Sequence, residues 1–421
     1  MMRHEGFAAY IAVTAAYWAF MLSDGALRML VLLHFHGLGF TPVQLAYLFV
    51  LYEIAGIVTN LSAGWIAARF GLTSTLYAGL ALQIAALIAL AQLDPSWTVT
   101  ASLIFVMAVQ GASGVAKDLS KMSAKSAVKI LAPQDDSILF KWVAVLTGSK
   151  NAVKGLGFLL GAALLAWFGM QTAVLAMAAV LFIILIAVLI RMPRGLPAGR
   201  KDAKFKDVFS KNANVNWLSF ARIFLFGARD VWFVVGIPIY FYAVLSDGTV
   251  AGNRQAFFMI GTFMALWIIL YGVVQANAPR LLQAKERSLD SLISAARRWG
   301  AMLIGIPALL ALAVALTPQP VFWLTALIVI GLLVFGAVFA VNSSLHSYLI
   351  LAFSTGDRVT MDVGFYYMAN AAGRLLGTVL SGLSYQIGGL PLCLGCAAAL
   401  LVLNVVGVSK LRVTPAQTET A

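Results

Sequence analysis

Apolar runs of about 20 residues recur from end to end of this 421-residue chain, and that recurrence restricts its fold more than anything else in it. A helix of that length spans the roughly 30 Å of hydrocarbon in a lipid bilayer. Inside hydrocarbon every backbone N–H and C=O must find its partner within the protein, which leaves helices or a closed barrel. The alternating ten-residue strands of a barrel are absent, and the runs are rich in Gly, Ala, Leu and Val. The expected fold is all-α, integral to a membrane and multi-pass. Charge agrees, since only 11% of residues are charged, against roughly 25% in a soluble domain.

The runs divide into twelve spans, near residues 7–33, 42–68, 73–92, 97–117, 140–168, 171–190, 216–245, 255–279, 299–316, 322–350, 359–386 and 389–409. Gly37, Gly39 and Pro42 turn the chain after the first span, and Gly169 after the fifth. Pro318 and Pro320 do so after the ninth, and Gly388 and Gly389 after the eleventh. With both termini cytoplasmic, the 29 Lys and Arg fall 22 in termini and inner loops, one (Arg254) in an outer loop, and six within spans. The positive-inside rule selects that orientation, in the cell (inner) membrane. The net charge of +13 thus belongs to topology, and no nucleic-acid partner is expected. The longest inner loop, 191–215, holds Arg191, Arg194, Arg200, Lys201, Lys204, Lys206 and Lys211. It separates an N-terminal six-helix bundle, 1–190, from a C-terminal one, 216–421. No cleavable signal precedes the first run. No phosphate-cradling G-x-x-x-x-G-K-[ST] loop occurs, so transport would draw on gradients and not on ATP bound here. Cys393 and Cys396 form no disulfide framework or zinc pattern. They could share a soft metalloid, but packing is the default for small thiols in lipid.

Charged groups inside the spans bear on function. Each costs roughly 2.5–3.5 kcal/mol at a span's centre. Arg28, Lys150, Lys154, Arg222, Arg229 and Arg374 all lie well inside, a combined cost on the order of 15–20 kcal/mol. The acids are Asp24, Glu53, Asp230 and, near the inner end of span 11, Asp362. Asp24 and Arg28, four apart, share a helix face. Asp230 follows Arg229, for which Asp24 is a second candidate partner. Six bases against three or four acids leave a positive surplus, which persists only where an anion visits. The expectation is a small anionic substrate held by the six bases. Asp24, Glu53 and Asp230 would couple transport to protons or hold the bases when the site is empty. The competing reading is ion pairs that brace the bundles. Guanidinium forks and ammonium point charges suit phosphate-like oxyanions and carboxylates.

Placement sharpens this. Lys150 and Lys154 form one stripe on span 5, and Arg222 and Arg229 another on span 7. Arg28 and Arg229 sit on corresponding spans of the two bundles, as do Lys154 and Arg374. Lys117, Lys121, Lys125 and Lys129 run off the inner end of span 4 and read best as a solvated or headgroup-facing extension, with Asp118 pairing locally. His346, beside Asn342, Ser343 and Ser344, is expected to satisfy a local hydrogen bond or to line the cavity, as are Tyr366, Tyr367 and Asn370. Gly157 and Gly161, and Gly373 and Gly377, are small-xxx-small pairs for close helix approach.

Two internal echoes support the halving. GWIAARFG (Gly64 to Gly71) and, more distantly, GVVQANAPR (Gly272 to Arg280) occupy matching turns, and Asn151-Ala152 before Lys154 and Gly155 is echoed by Asn370-Ala371 before Gly373 and Arg374. The six-plus-six plan resembles the major facilitator fold, whose site lies at the midplane. GWIAARFG resembles that superfamily's basic loop, with Ala68 in place of its acidic residue. Four stretches narrow the likeness: DLSKMSAKSAVK (Asp118 to Lys129), LTGSKNAVKG (Leu146 to Gly155), FARIFLFGARDVWFVVGIPIYFY (Phe220 to Tyr242) and FFMIGTFMALWIILYGVVQANAPR (Phe257 to Arg280). They are similar to the ArsJ family of organoarsenical efflux permeases. That resemblance implies export of 1-arseno-3-phosphoglycerate from the cytoplasm and hence arsenate resistance. It also implies a metabolic partner, a glyceraldehyde-3-phosphate dehydrogenase that makes the ester. Pentavalent arsenic is bound as an oxyanion, which weakens the Cys393/Cys396 idea. The alternative is a carrier of another organic phosphate or organic acid anion. No cofactor, metal or enzymatic activity is expected, and a monomer in the lipid bilayer is.

Overall fold

The computed structural model describes residues 2–131, 136–191, 210–282, 287–317, 319, 321–354 and 359–413. Every element among them is helical. In chain order they are α1 (Met2–Gly37), α2 (Pro42–Tyr47), α3 (Val50–Leu90), α4 (Val99–Leu131), α5 (Asp136–Arg191) and α6 (Ala213–Val231). A π-helical turn, Trp232–Gly236, then leads into α7 (Ile237–Leu245), followed by α8 (Val250–Leu281), α9 (Leu289–Leu316), α10 (Phe322–Phe353) and α11 (Val359–Ser409). Most of the basic stretch 191–215, with Pro318 and Pro320, lies outside the described residues.

Among the described residues, ten stretches are long and apolar enough to cross a membrane. Two of them are too long for one crossing. Ser149–Ile190 (42 residues) and Met361–Ser409 (49 residues) would reach about 63 and about 74 Å at 1.5 Å per residue. The first breaks at Gly169 (φ 73°, ψ 176°) and the second at Gly388 and Gly389. Counting each as two gives the twelve spans of the sequence. Gly71 inside α3 has nearly the same backbone as Gly169, φ 73° and ψ −178°. A side chain is essentially forbidden there, so both reversals require glycine. The basic turn GWIAARFG therefore ends on the residue that turns the chain.

The chain forms two compact units. The first comprises Met1–Phe40, Leu48–Lys206 and Leu245–Ile269, and the second Thr41–Tyr47, Asp207–Val244 and Leu270–Ala421. Relative to a contiguous division into 1–190 and 216–421, two stretches are exchanged. Helix α2 packs on α11 in the second unit, where a Cβ on Gly382 would meet Ala46 and Val43. The first part of α8 packs on α5 in the first unit, with the ring of Phe258 against Trp167. A Cβ on Gly261 would lie 2.7 Å from that of Ala162. Apolar residues such as Phe322, Ile190 and Ile387 are largely exposed, as lipid solvation requires.

Each unit has a glycine seam, and the two correspond. Where α1 crosses α5, a Cβ on Gly25 would lie 2.5 Å from the Lys154 carbonyl oxygen, and Cβ atoms on Gly157 and Gly161 would strike the carbonyls of Leu22 and Ala26. Where α6 crosses α11, a Cβ on Gly377 would lie 2.5 Å from the Gly227 carbonyl oxygen, and one on Gly373 would strike that of Ile223. The two seams share one register: Leu22 and Ala26 match Ile223 and Gly227, and Gly157 and Gly161 match Gly373 and Gly377. Such contact, with no side chain between backbones, is what small-xxx-small pairs provide.

Candidate substrate site

In the first unit the seam brings charges from different helices together. Lys154 on α5 meets Asp24 on α1, Nζ to Oδ2 2.9 Å. The Tyr52 hydroxyl donates to the other oxygen of that carboxylate at 2.6 Å. Arg28 reaches α3, Nη1 to Glu53 Oε1 3.2 Å, and its guanidinium lies over the Phe49 and Tyr52 rings. Asp24 and Arg28 share a helix face as expected, yet they do not pair with each other. The close α1–α5 approach delivers Lys154 to Asp24, and α3 supplies Glu53 to Arg28. Both carboxylates are buried, so direct pairing is needed to offset their desolvation. Lys150 is half-buried one turn before Lys154.

The lysine stripe on α4 is not a solvated face where it is described. Lys117 is only 6% exposed, and its ammonium lies 4.1 Å from the centre of the Tyr52 ring. Lys121 pairs with Asp118 at 3.6 Å and donates to Asn60 Oδ1 at 2.8 Å. Asp118 is itself buried and accepts from Thr59 Oγ1 at 2.5 Å. A spacing of four marks one helix face and does not say whether protein or water covers it. The acid at 118 and the polar Thr59 and Asn60 on α3 were the available signal. The side chains of Lys125 and Lys129 lie outside the described residues.

In the second unit Arg229 Nε donates to Asp230 Oδ1, its sequence neighbour, at 2.6 Å. Arg229 thus pairs with Asp230, and Asp24 with Lys154. The guanidinium also lies 4.8 Å from the Phe226 ring centre and 5.7 Å from that of Phe339.

Arg222 differs. It is buried on α6, 4% exposed, and forms no ion pair among the described residues. Its Nε donates to Asn370 Oδ1 at 3.0 Å. Its Nη1 donates to the Ser343 hydroxyl at 3.0 Å and to the Ser343 carbonyl at 3.2 Å. The Phe226 and Tyr366 rings lie 4.1 and 4.9 Å away. Burying an uncompensated cation costs several kcal/mol. Three hydrogen bonds from a charged group, at about 1.5–3 kcal/mol each, with two aromatic faces, are enough to hold it. They do so without neutralising it, and they leave its Nη2 edge without a hydrogen bond among the described residues.

His346, Tyr366 and Asn370 gather around this arginine. Asn370 is its hydrogen-bond acceptor and Tyr366 its aromatic face. His346 is fully buried three residues after Ser343, within reach of the Arg222 charge. Contrary to the expectation of a satisfied imidazole, neither ring nitrogen has a hydrogen-bond partner. Asn342, one turn earlier and also fully buried, has none for its side-chain amide. Arg374 lies one turn beyond Asn370 and makes contacts of its own. Spans 5 and 11 correspond, but Lys154 and Arg374 do not. In the seam register Lys154 matches Asn370, three residues before Gly157 and Gly373 respectively. Asp362 is buried in the first turn of α11. Cys393 accepts from Ser384 Oγ at 3.1 Å and packs beside Ser381, a structural role. No metal-holding cluster of His, Cys, Asp and Glu occurs among the described residues.

The family description Major Facilitator Superfamily matches residues 7–350. Among solved structures, a mutant of the nucleoside transporter NupG is similar over 97% of this chain and 98% of that one, with 15% identity and a TM-score of 0.67. A POT family transporter in complex with 5-aminolevulinic acid is similar over 94% of each chain, with 15% identity and a TM-score of 0.69. At such identity the likeness is one of fold. No curated protein matches.

Proposed function

The chain belongs to the major facilitator superfamily, and from that premise we propose that this membrane transporter moves a small anion bearing a phosphate-like oxyanion. The observation that carries the reading is Arg222, buried and without a carboxylate to pair with. A cation whose only purpose was to brace helices would be expected beside an acid, as Arg28, Lys154 and Arg229 are. Arg222 and Arg374 are the proposed substrate contacts of the second unit, and Lys150, Lys154 and Arg28 those of the first. Asp24, Glu53 and Asp230 hold cations until a substrate competes for them. The substrate we infer is 1-arseno-3-phosphoglycerate, moved outward, because the four stretches above resemble the organoarsenical efflux permeases. Its phosphate and arsenate ester suit guanidinium and ammonium groups. The other reading is another organic phosphate or organic acid anion, which the same Arg222 would suit.

Arsenate resistance separates the two. Expressed in an arsenate-sensitive cell, the chain should confer resistance only together with a glyceraldehyde-3-phosphate dehydrogenase. Resistance without the dehydrogenase would rule out the ester.

A further inference from the structure

In the second unit, on the helix that holds the Arg222 guanidinium, lie polar atoms without a hydrogen-bond partner among the described residues. They are both ring nitrogens of His346 and both side-chain polar atoms of Asn342, on one face of α10. Ser343, between them in sequence, fixes the Arg222 guanidinium by two hydrogen bonds. Ser347 donates back to the Ser343 carbonyl at 2.9 Å. Leaving a buried donor or acceptor unpaired is costly, so such groups normally have a partner. The two unanswered nitrogens of His346, within reach of a cation without an acid, call for a missing polar ligand, and the Asn342 amide is a further unanswered group one turn away.

Of the other charged and titratable groups on the helices packed here, Arg229 and Asp230 on α6 pair with each other, Arg254, Arg280, Asp290, Arg297 and Arg298 are exposed, and Tyr385, Cys393 and Cys396 lie far along α11. Those that remain are Arg222 on α6, Tyr271 on α8, and Asp362, Tyr366, Tyr367 and Arg374 on α11. From α9 the contact is made by Gly300, beside Asn342 Nδ2 and Asn404 Oδ1, with apolar Leu292, Ala295 and Ala296. Arg222 supplies one positive charge. A phosphate monoester is a dianion above its second ionisation, near pH 6. Its arrival would leave one negative charge unbalanced in a low-dielectric setting. A neutral imidazole has one bare nitrogen that can take a proton. His346 is the one imidazole among the groups named.

We propose that the second unit binds one oxyanion of its substrate together with one proton, the oxygen at the Nη2 edge of Arg222 and the proton on His346. Asn342 and the His346 N–H are then the further donors to the oxyanion. The proton comes from bulk water and leaves with the substrate, so a dianion crosses with one negative charge fewer. This rests on the anionic-substrate reading.

The test is titration calorimetry of the purified transporter at pH 8, in buffers of different ionisation enthalpy, which counts protons bound per ligand. The probes are glycerol 3-phosphate, a dianion at that pH, and methyl sulfate, a monoanion. Glycerol 3-phosphate should take up about one proton per molecule bound, and methyl sulfate none. In His346→Gln and in His346→Asn the phosphate should bind at least about tenfold more weakly with no uptake, while methyl sulfate, which takes no proton, loses clearly less. Uptake that persists in both variants places the proton elsewhere and overturns the proposal, as does wild-type binding of the phosphate without uptake. That second result leaves the anion reading standing. Binding of neither probe by the wild type overturns both.

Discussion

The α1–α5 seam and the α6–α11 seam share glycine spacing, register and backbone contact, yet they are charged differently. In the first, Lys154 meets Asp24, and Arg28 next door meets Glu53. In the second, the residue matching Lys154 is Asn370, a neutral amide, and it meets Arg222. Arg229 matches Arg28 and keeps an acid, but one drawn from its own helix. The first seam is therefore internally compensated and the second leaves a cation over. A shared helix-packing geometry thus does not dictate a shared electrostatic state: one seam holds its cations on acids until a substrate competes, the other leaves a cation open to an anion.

The largest expected effect falls on the uncompensated cation. Arg222→Gln should lower transport about 100-fold or more, since two lost hydrogen bonds to a charged ligand cost about 3 kcal/mol or more and each 1.4 kcal/mol is tenfold. Arg222→Lys should not rescue it, because an ammonium cannot occupy the Asn370 and Ser343 bonds and still present a free edge. Flux in vesicles checks both, with membrane insertion confirmed. Equal loss from Asn370→Ala and Arg222→Gln would blur the contrast between the seams.

Next comes the compensated seam. Glu53→Gln leaves the half-buried Arg28 without its acid and should destabilise by about 3 kcal/mol, the low end for a buried pair. Arg28→Met with Glu53→Leu should recover most of that loss, as replacing a whole buried pair often does. Thermal unfolding in detergent reads both. The double variant should be stable yet impaired in transport, as a substrate contact at Arg28 requires; full transport would leave Arg28 a brace alone.

The seams themselves should respond alike. Gly161→Ala and Gly373→Ala each place a methyl group against a backbone carbonyl. Each should cost about 1–3 kcal/mol in the same unfolding assay. A large difference between them would break the structural equivalence on which the comparison stands.

The smallest effect belongs to a loop outside the spans. The Thr249 hydroxyl and backbone N–H donate to Asp247 and hold its carboxyl below the ordinary carboxylate range. A lowered pKa contributes stability that is complete above about pH 4 and lost as pH falls through the folded-state value. Asp247→Ala should therefore lower the melting temperature slightly at pH 7, by an amount that shrinks as pH falls below about 4.

The twelve spans were legible because hydrocarbon imposes a length on every helix, and Gly169, Gly388 and Gly389 stood where two spans had to be divided. The turn at Gly71 was visible as a motif, though its backbone conformation was not. The pairing was less legible. Spacing of four put Asp24 and Arg28 on one face, but partners across helices depend on which helices touch, and a period says nothing of that. Lys117 shows the same limit, since a basic stripe reads alike whether water or Tyr52 covers it. The isolation of Arg222 was a matter of counting cations against acids, and the sequence showed the surplus without saying which residue carried it.

The most direct measurement compares wild-type and Arg222→Gln chains in everted membrane vesicles supplied with glyceraldehyde-3-phosphate, arsenate, NAD and the dehydrogenase, following labelled arsenic into the lumen. The account predicts accumulation with the wild type that requires the dehydrogenase and is absent with Arg222→Gln. Equal accumulation by the two chains would contradict it.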